Sequence, residues 1–206
     1  MNLPNEEFFK RRKNKEDSNN AIKIVNHGTI SYRLGLDILV KAIENASKNI
    51  NVTLTLIGGG EQKPELIDYC KKQGILNKIV FFKDFIPVEQ LQAEIENFDI
   101  GVISMRSNPV YERCMLPVKL LEYVYIGIPV ITSDLYGIRK YFSDDMVEYV
   151  SPDDINELAN KIITLSKNSK RKTELINNSF KFFEKYNWNR QEKKYLEIMN
   201  DIIDRD

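Results

Sequence analysis

Short apolar runs alternate with amphipathic stripes along most of the chain, and this alternation constrains the fold more than any other feature. Residues 22–26, 52–57, 79–82, 100–104, 130–133 and 146–150 have the length and apolar content of buried strands. Between them, residues 34–48 carry Leu36, Leu39, Val40 and Ile43 at helical spacing, and 64–73, 88–97 and 117–126 also read as helices. Pro64 suits a first helical turn, and Gly127 followed by Pro129 stops the helix before it. Beyond residue 150, Ser151-Pro152-Asp153-Asp154 caps a run of helices that continues to the C-terminus. Strands alternating with helices predict βαβ units. The expected fold is α/β: a Rossmann-like doubly wound parallel sheet of about six strands, helices on both faces, and added C-terminal helices.

Composition narrows the function. The chain has 206 residues, which suits one large domain or one and a half at ~150 residues each. Thirty Lys+Arg balance 30 Asp+Glu, without the basic excess of a nucleic-acid binder. Two cysteines, Cys70 and Cys114, exclude a disulfide scaffold or Cys-rich zinc site, and one histidine, His27, removes most metal-ligand and Ser-His-Asp schemes. No apolar run approaches the ~20 residues that cross a bilayer, and the charged start has no apolar signal region, so a cytoplasmic domain is expected. Residues 1–20 are polar and aperiodic and read as a linker or arm anchored by Phe8 and Phe9; the folded domain is expected over 21–206.

Doubly wound sheets bind ligands at the carboxyl ends of their strands. The loops to inspect are therefore 27–33, 58–63, 83–87, 104–116 and 133–137. In the first, Gly28 lets the backbone turn sharply, the following helix offers amide groups to an anion, and Arg33 is a candidate phosphate contact. A plain strand–helix turn with a solvated arginine accounts for the same residues. Gly58-Gly59-Gly60-Glu61 suits backbone packed near a ligand, or equally a flexible turn. Lys119 and Glu122 stand three apart near a helix start: a cation for phosphate and a carboxylate for paired hydroxyls, or an exposed ion pair worth ~0.5 kcal/mol.

Taken together, these segments resemble the nucleotide-sugar-binding C-terminal half of GT-B glycosyltransferases of family 4, the group 1 enzymes. His27-Gly28-Thr29…Arg33-Leu34-Gly35-Leu36-Asp37 is similar to that family's first C-domain loop, and Leu56-Ile57-Gly58-Gly59-Gly60-Glu61 to its glycine turn. Phe81…Phe85-Ile86-Pro87 and Phe98-Asp99-Ile100-Gly101-Val102 resemble two further stretches. Pro117-Val118-Lys119-Leu120-Leu121-Glu122-Tyr123…Gly127-Ile128-Pro129-Val130-Ile131 is similar to the family's most specific signature, and Tyr186-Asn187-Trp188…Tyr195 to its closing helices. The likeness runs from about residue 21 to 200.

The resemblance implies a nucleotide-sugar donor, UDP- or GDP-linked, and a retaining, metal-independent transfer to a polysaccharide or lipid-linked acceptor. Glu122 would take the ribose hydroxyls; Arg33, Lys119 and the backbone at Gly28 and Thr29 the diphosphate; Gly59 the adjoining turn. Loop 83–87 would face the base and 106–116 the sugar. No cofactor or metal is implied. The first residues look like the linker from an acceptor-binding N-terminal half, which would supply the missing catalytic groups as part of the same or a partner chain. The 206 residues alone would then bind donor and turn over little. Contact with the inner membrane leaflet is a family expectation, with Lys10-Arg11-Arg12-Lys13 as the basic run to make it. Two departures stand out. Cys114 occupies the place where many members carry a glutamate eight residues before the ribose carboxylate, with Glu112 two residues too early, and Thr29 and Leu34 replace two cations of the first loop. A degenerate scaffold or regulatory module, and a nucleotide-sugar 2-epimerase half, are the alternative readings.

Overall fold

The computed structural model describes residues 2–12 and 21–203. Six strands, β1 (Ile22–His27), β2 (Val52–Ile57), β3 (Val80–Lys83), β4 (Ile100–Ile103), β5 (Val130–Ser133) and β6 (Glu148–Val150), form one sheet. Their order is β3-β2-β1-β4-β5-β6, and every pairing is parallel. The chain winds outward from β1 to β3, returns to place β4 beside β1, and winds outward the other way. The reversal, where such sheets open a crevice at the strand ends, lies between β1 and β4. The pairing makes that opening visible: β1 stays in register with β2 to His27↔Ile57, but with β4 only to Val25↔Gly101.

The helices are α1 (Leu36–Ala46), α2 (Lys63–Lys72), α3 (Val88–Ile95), α4 (Pro109–Cys114), α5 (Val118–Ile126), α6 (Tyr136–Arg139), α7 (Ile155–Ser166), α8 (Ser169–Lys185) and α9 (Trp188–Ile203). α1 lies against α7, and α5 against α8. Leu36, Leu39, Val40 and Ile43 of α1 are fully buried, as their spacing requires, and burial of each such side chain contributes about 1.5–3 kcal/mol.

Three expectations change. The helix expected from residue 34 breaks at Gly35: Tyr32–Leu34 form a 3₁₀ turn, Gly35 adopts a left-handed φ of 62°, and α1 starts at Leu36. A Cβ at Gly35 would come within 1.9 Å of the Ser104 carbonyl oxygen, so only glycine lets β4's exit pass so close. The short helix α4 falls inside the stretch 104–116 read as a loop and α6 begins within the loop 133–137, six and four residues being too few to show a period. The polar arm is also better anchored than Phe8 and Phe9 alone: Leu3 is buried with Phe9, and Arg12 reaches inward to the carbonyls of Glu96, Phe98 (2.7 Å) and Gly127 (3.1 Å). Burial lowers the Arg12 pKa. Arg12 is therefore not available to a lipid surface; Lys13 of the same basic run lies outside the described residues.

α9 buries no residue. Tyr195, Ile198 and Ile202 form an exposed apolar stripe at i, i+3 and i+7, and the Trp188 indole, donating to the Pro4 carbonyl at 3.2 Å, ties the helix start to the arm. No helix among the described residues is long and apolar enough to cross a membrane.

Candidate functional site

The first two turns of α5 fill the reversal point. Pro117, with its fixed φ, precedes the helix at its N-cap, and three side chains from the next six residues meet the end of β1. The Lys119 ammonium donates to Asn26 Oδ1 at 3.1 Å. Glu122 Oε2 lies 3.2 Å from His27 Nε2, an ion-pair distance without the alignment of a hydrogen bond. Tyr123, fully buried, accepts from the His27 amide at 3.1 Å and meets the His27 ring edge-on at 5.1 Å. A Cβ at Gly101 of β4 would come within 2.5 Å of the Tyr123 ring, so the glycine admits the aromatic ring.

This arrangement replaces the exposed ion pair that the Lys119–Glu122 spacing also allowed. Glu122 is 8% exposed and Lys119 partly buried, each with its own partner on β1. Burial drives the Lys119 pKa down to about 8; Glu122 opposes the shift and Arg33 adds to it. The Tyr123 hydroxyl is pushed well up by burial, with the Glu122 charge adding.

Gly28 follows β1 with φ 100°, and the Lys119 nitrogen lies 3.6 Å from where its Cβ would stand, so the ammonium sits over this backbone. The Gly28 amide is already donated to the Ile57 carbonyl at 2.8 Å. Thr29, next along, is exposed. Of the three glycines after β2, Gly58 and Gly60 pack loop on loop: their Cβ atoms would fall 2.0 Å from the Gly28 carbonyl and 2.2 Å from the Ile30 carbonyl. A Cβ at Gly59 meets open space, while its carbonyl accepts from the Ile30 amide at 2.8 Å. Two of the glycines thus serve close approach of backbone to backbone, and Gly59 alone has room for a side chain.

Arg33 is exposed on the 3₁₀ turn. That turn is held by a residue the sequence did not single out. Arg106, three residues past β4, bonds Asp37 Oδ2 at 2.6 Å, Asp153, and the Tyr32 carbonyl at 3.2 Å, and its guanidinium covers the Tyr32 ring at 4.0 Å. Its amide donates to the Arg33 carbonyl at 3.3 Å. Nothing in its spacing signals this, because its partners come from α1 and the β6–α7 loop. Lys63 was likewise missed: it bonds the Gly58 carbonyl (2.9 Å), the Lys83 carbonyl (3.1 Å) and Asp84 (2.8 Å), closing the ends of β2 and β3 and lowering the Asp84 pKa.

Cys114 ends α4 and is exposed, and Glu112 pairs with the Ser107 hydroxyl on its own segment. Asp154 caps α7 as expected, accepting from the Glu157 amide at 2.8 Å, and Asp144, in the turn before β6, pairs with Arg139.

A cation and a carboxylate thus converge at the reversal point of a doubly wound sheet, the place where such sheets bind ligands. The family model described as Glycosyl transferases group 1 matches residues 6–182, and the chain belongs to that family. Among curated relatives, the lipopolysaccharide glucosyltransferase WaaG of Escherichia coli is 25% identical over 172 residues, covering 80% of this chain and 43% of its own. The chain spans about half the length of the curated relatives it matches. Two solved structures share the fold. One is the C-terminal domain of LpcC, a group 1 protein of Francisella tularensis, with TM-score 0.71, 18% identity and coverage of 87% of this chain and 95% of its own. The other is an S. aureus TarM mutant with fondaparinux, α-GlcNAc-glycerol and UDP, with TM-score 0.75, 18% identity and coverage of 92% and 38%.

Proposed function

We propose that this chain is the donor-binding, C-terminal half of a GT-B glycosyltransferase of family 4, taking a UDP- or GDP-sugar for retaining, metal-independent transfer to a polysaccharide or lipid-linked acceptor. One observation carries the reading: Lys119 and Glu122, a single helical turn apart, converge on the end of β1 at the reversal point of the sheet. Glu122 holds the ribose hydroxyls, as acidic residues do in dinucleotide-binding sheets. Lys119 over Gly28, Arg33 and the Thr29 amide hold the diphosphate, with Gly59 at the rim. As the bond from the anomeric carbon to the diphosphate oxygen breaks, the diphosphate leaves with the electron pair, and these two cations stabilise the charge that develops on it. UDP in the TarM structure favours UDP over GDP.

The acceptor and its orienting groups belong to an N-terminal half in the same or a partner chain. The near-complete match to the LpcC C-terminal domain supports this, as does the exposed apolar stripe of α9. Peripheral contact with the inner leaflet rests on the likeness to WaaG, a lipopolysaccharide enzyme, and on exposed Lys10.

Calorimetric titration of the chain with UDP, GDP and ADP, beside Glu122→Ala, tests the reading. Saturable binding of one nucleotide, weakened in the variant by about 1–3 kcal/mol for lost charged hydrogen bonds, is expected. A degenerate scaffold is the second reading, favoured by Cys114 in place of a carboxylate; it predicts that Glu122→Ala changes no binding.

A further inference from the structure

We propose that Asn26 is a positioning residue that fixes Lys119 over the Gly28 backbone, where the donor's diphosphate would lie; the inference rests on the donor-site reading above. Asparagine is a poor strand residue, and burying its amide is unfavourable unless both ends are paired. Yet Asn26 lies in β1, flanked by β2 and β4, and is 3% exposed. Its neighbours Ile24 and Val25 are the apolar residues such a strand calls for.

Both ends of the amide are satisfied, and in only one orientation. Asn26 Nδ2 donates to the Val102 carbonyl of β4 at 2.7 Å, and Oδ1 accepts from Lys119 at 3.1 Å. A carbonyl only accepts and an ammonium only donates, so the group cannot flip. Asn26 is also the first β1 residue past the last β1–β4 register pair, Val25↔Gly101. Its side chain thus spans the gap where the two strands part, and the Lys119 head enters at the same place. An apolar residue there leaves the ammonium without this acceptor. An aspartate leaves the Val102 carbonyl without its donor and adds a negative charge beside the diphosphate. Only the neutral amide both closes the gap and holds the cation without competing for it. The charged and titratable groups around Lys119 are Glu122 and, beside it, His27, together with Arg33 from the 3₁₀ turn.

The test reads Lys119 and the ligand separately. Competitive acetylation of the chain across pH 6.5–10, followed by mass spectrometry, gives the titration midpoint of the Lys119 amine. Calorimetry with UDP gives affinity. In Asn26→Leu the midpoint falls, because the ammonium has lost an acceptor; in the isosteric Asn26→Asp it rises. UDP affinity falls about tenfold in Asn26→Leu, yet the same substitution costs nothing further in a Lys119→Met background. Unchanged midpoints in both variants would overturn the proposal, as would an equal loss of affinity with and without Lys119, which marks a merely structural role. Should Asn26→Leu not fold, Asn26→Asp alone decides through its midpoint. Midpoints that shift in a chain that binds no UDP would keep Asn26 as the tether and sink the donor-site reading instead.

Discussion

His27 Nε2 stands 3.2 Å from Glu122 Oε2, so the last residue of β1 faces the carboxylate of α5 across the reversal point of the sheet. The imidazole also lies edge-on against the buried Tyr123 ring. Strand end, carboxylate and aromatic wall therefore form one packed unit around Glu122. His27→Phe keeps the ring contact and removes the nitrogen. We expect it to weaken UDP binding severalfold while leaving the melting temperature nearly unchanged, as calorimetry and thermal unfolding would show.

The glycines after β2 divide by role. Gly58 has φ 135°, and its Cβ would strike the Gly28 carbonyl at 2.0 Å, whereas a Cβ at Gly59 meets nothing within 4 Å. Gly58→Ala should destabilise the fold by about 2–3 kcal/mol through backbone strain and collision, lowering Tm by roughly 5–10 °C. Gly59→Ala should fold normally, and any loss it shows in UDP affinity then reports on the site.

Lys119 should leave a mark on stability against pH. Its ordinary pKa of 10.5 falls to about 8 in the folded chain. Between those values the unfolded chain holds the proton that the folded chain has lost, so this group makes stability rise with pH over that window. Below pH 8 its charge is carried at a cost, on the order of 1 kcal/mol after discounting for its partial exposure. Cys70 works the other way, its thiol being pushed up from 9.0 to about 11 by burial. The difference between the chain and Lys119→Met, which also leaves the Asn26 oxygen without its donor at every pH, isolates the lysine through its slope: the chain should gain on the variant by about 1 kcal/mol between pH 8 and 10.5 in urea unfolding.

Arg106 joins Asp37 of α1 to Asp153 of the β6–α7 loop and covers Tyr32. Arg106→Ala leaves both carboxylates without this partner and frees the turn that carries Arg33. A loss of about 1–3 kcal/mol in stability is expected, with faster amide hydrogen exchange confined to residues near 29–35. Arg106→Lys should rescue little, since an ammonium has no fork to reach three partners.

The fold was legible because its signals are local. Residues 52–57 and 130–133 carry strand boundaries that the apolar runs alone give, and Gly127 ends α5 in the left-handed conformation expected of it. Gly35 was not legible as a break, because the reason for it is the Ser104 carbonyl, 69 residues away in the chain. The candidate site splits the same way. Lys119 and Glu122 stand out by spacing, but spacing alone favours an exposed ion pair. What decides against that pair is the placement of Asn26 and His27 opposite them, a consequence of the sheet order. Asn26, Arg106 and Lys63 escaped notice for the same reason: each acts through partners that only the tertiary fold supplies.

The central claim, that the β1–α5 crevice is a nucleotide-diphosphate site, is tested most directly by a crystal structure of the chain soaked with UDP. The diphosphate should lie between the Lys119 ammonium and the Gly28–Thr29 backbone, and the ribose hydroxyls on Glu122. UDP bound elsewhere, or no UDP in an open crevice at saturating concentration, would contradict the claim.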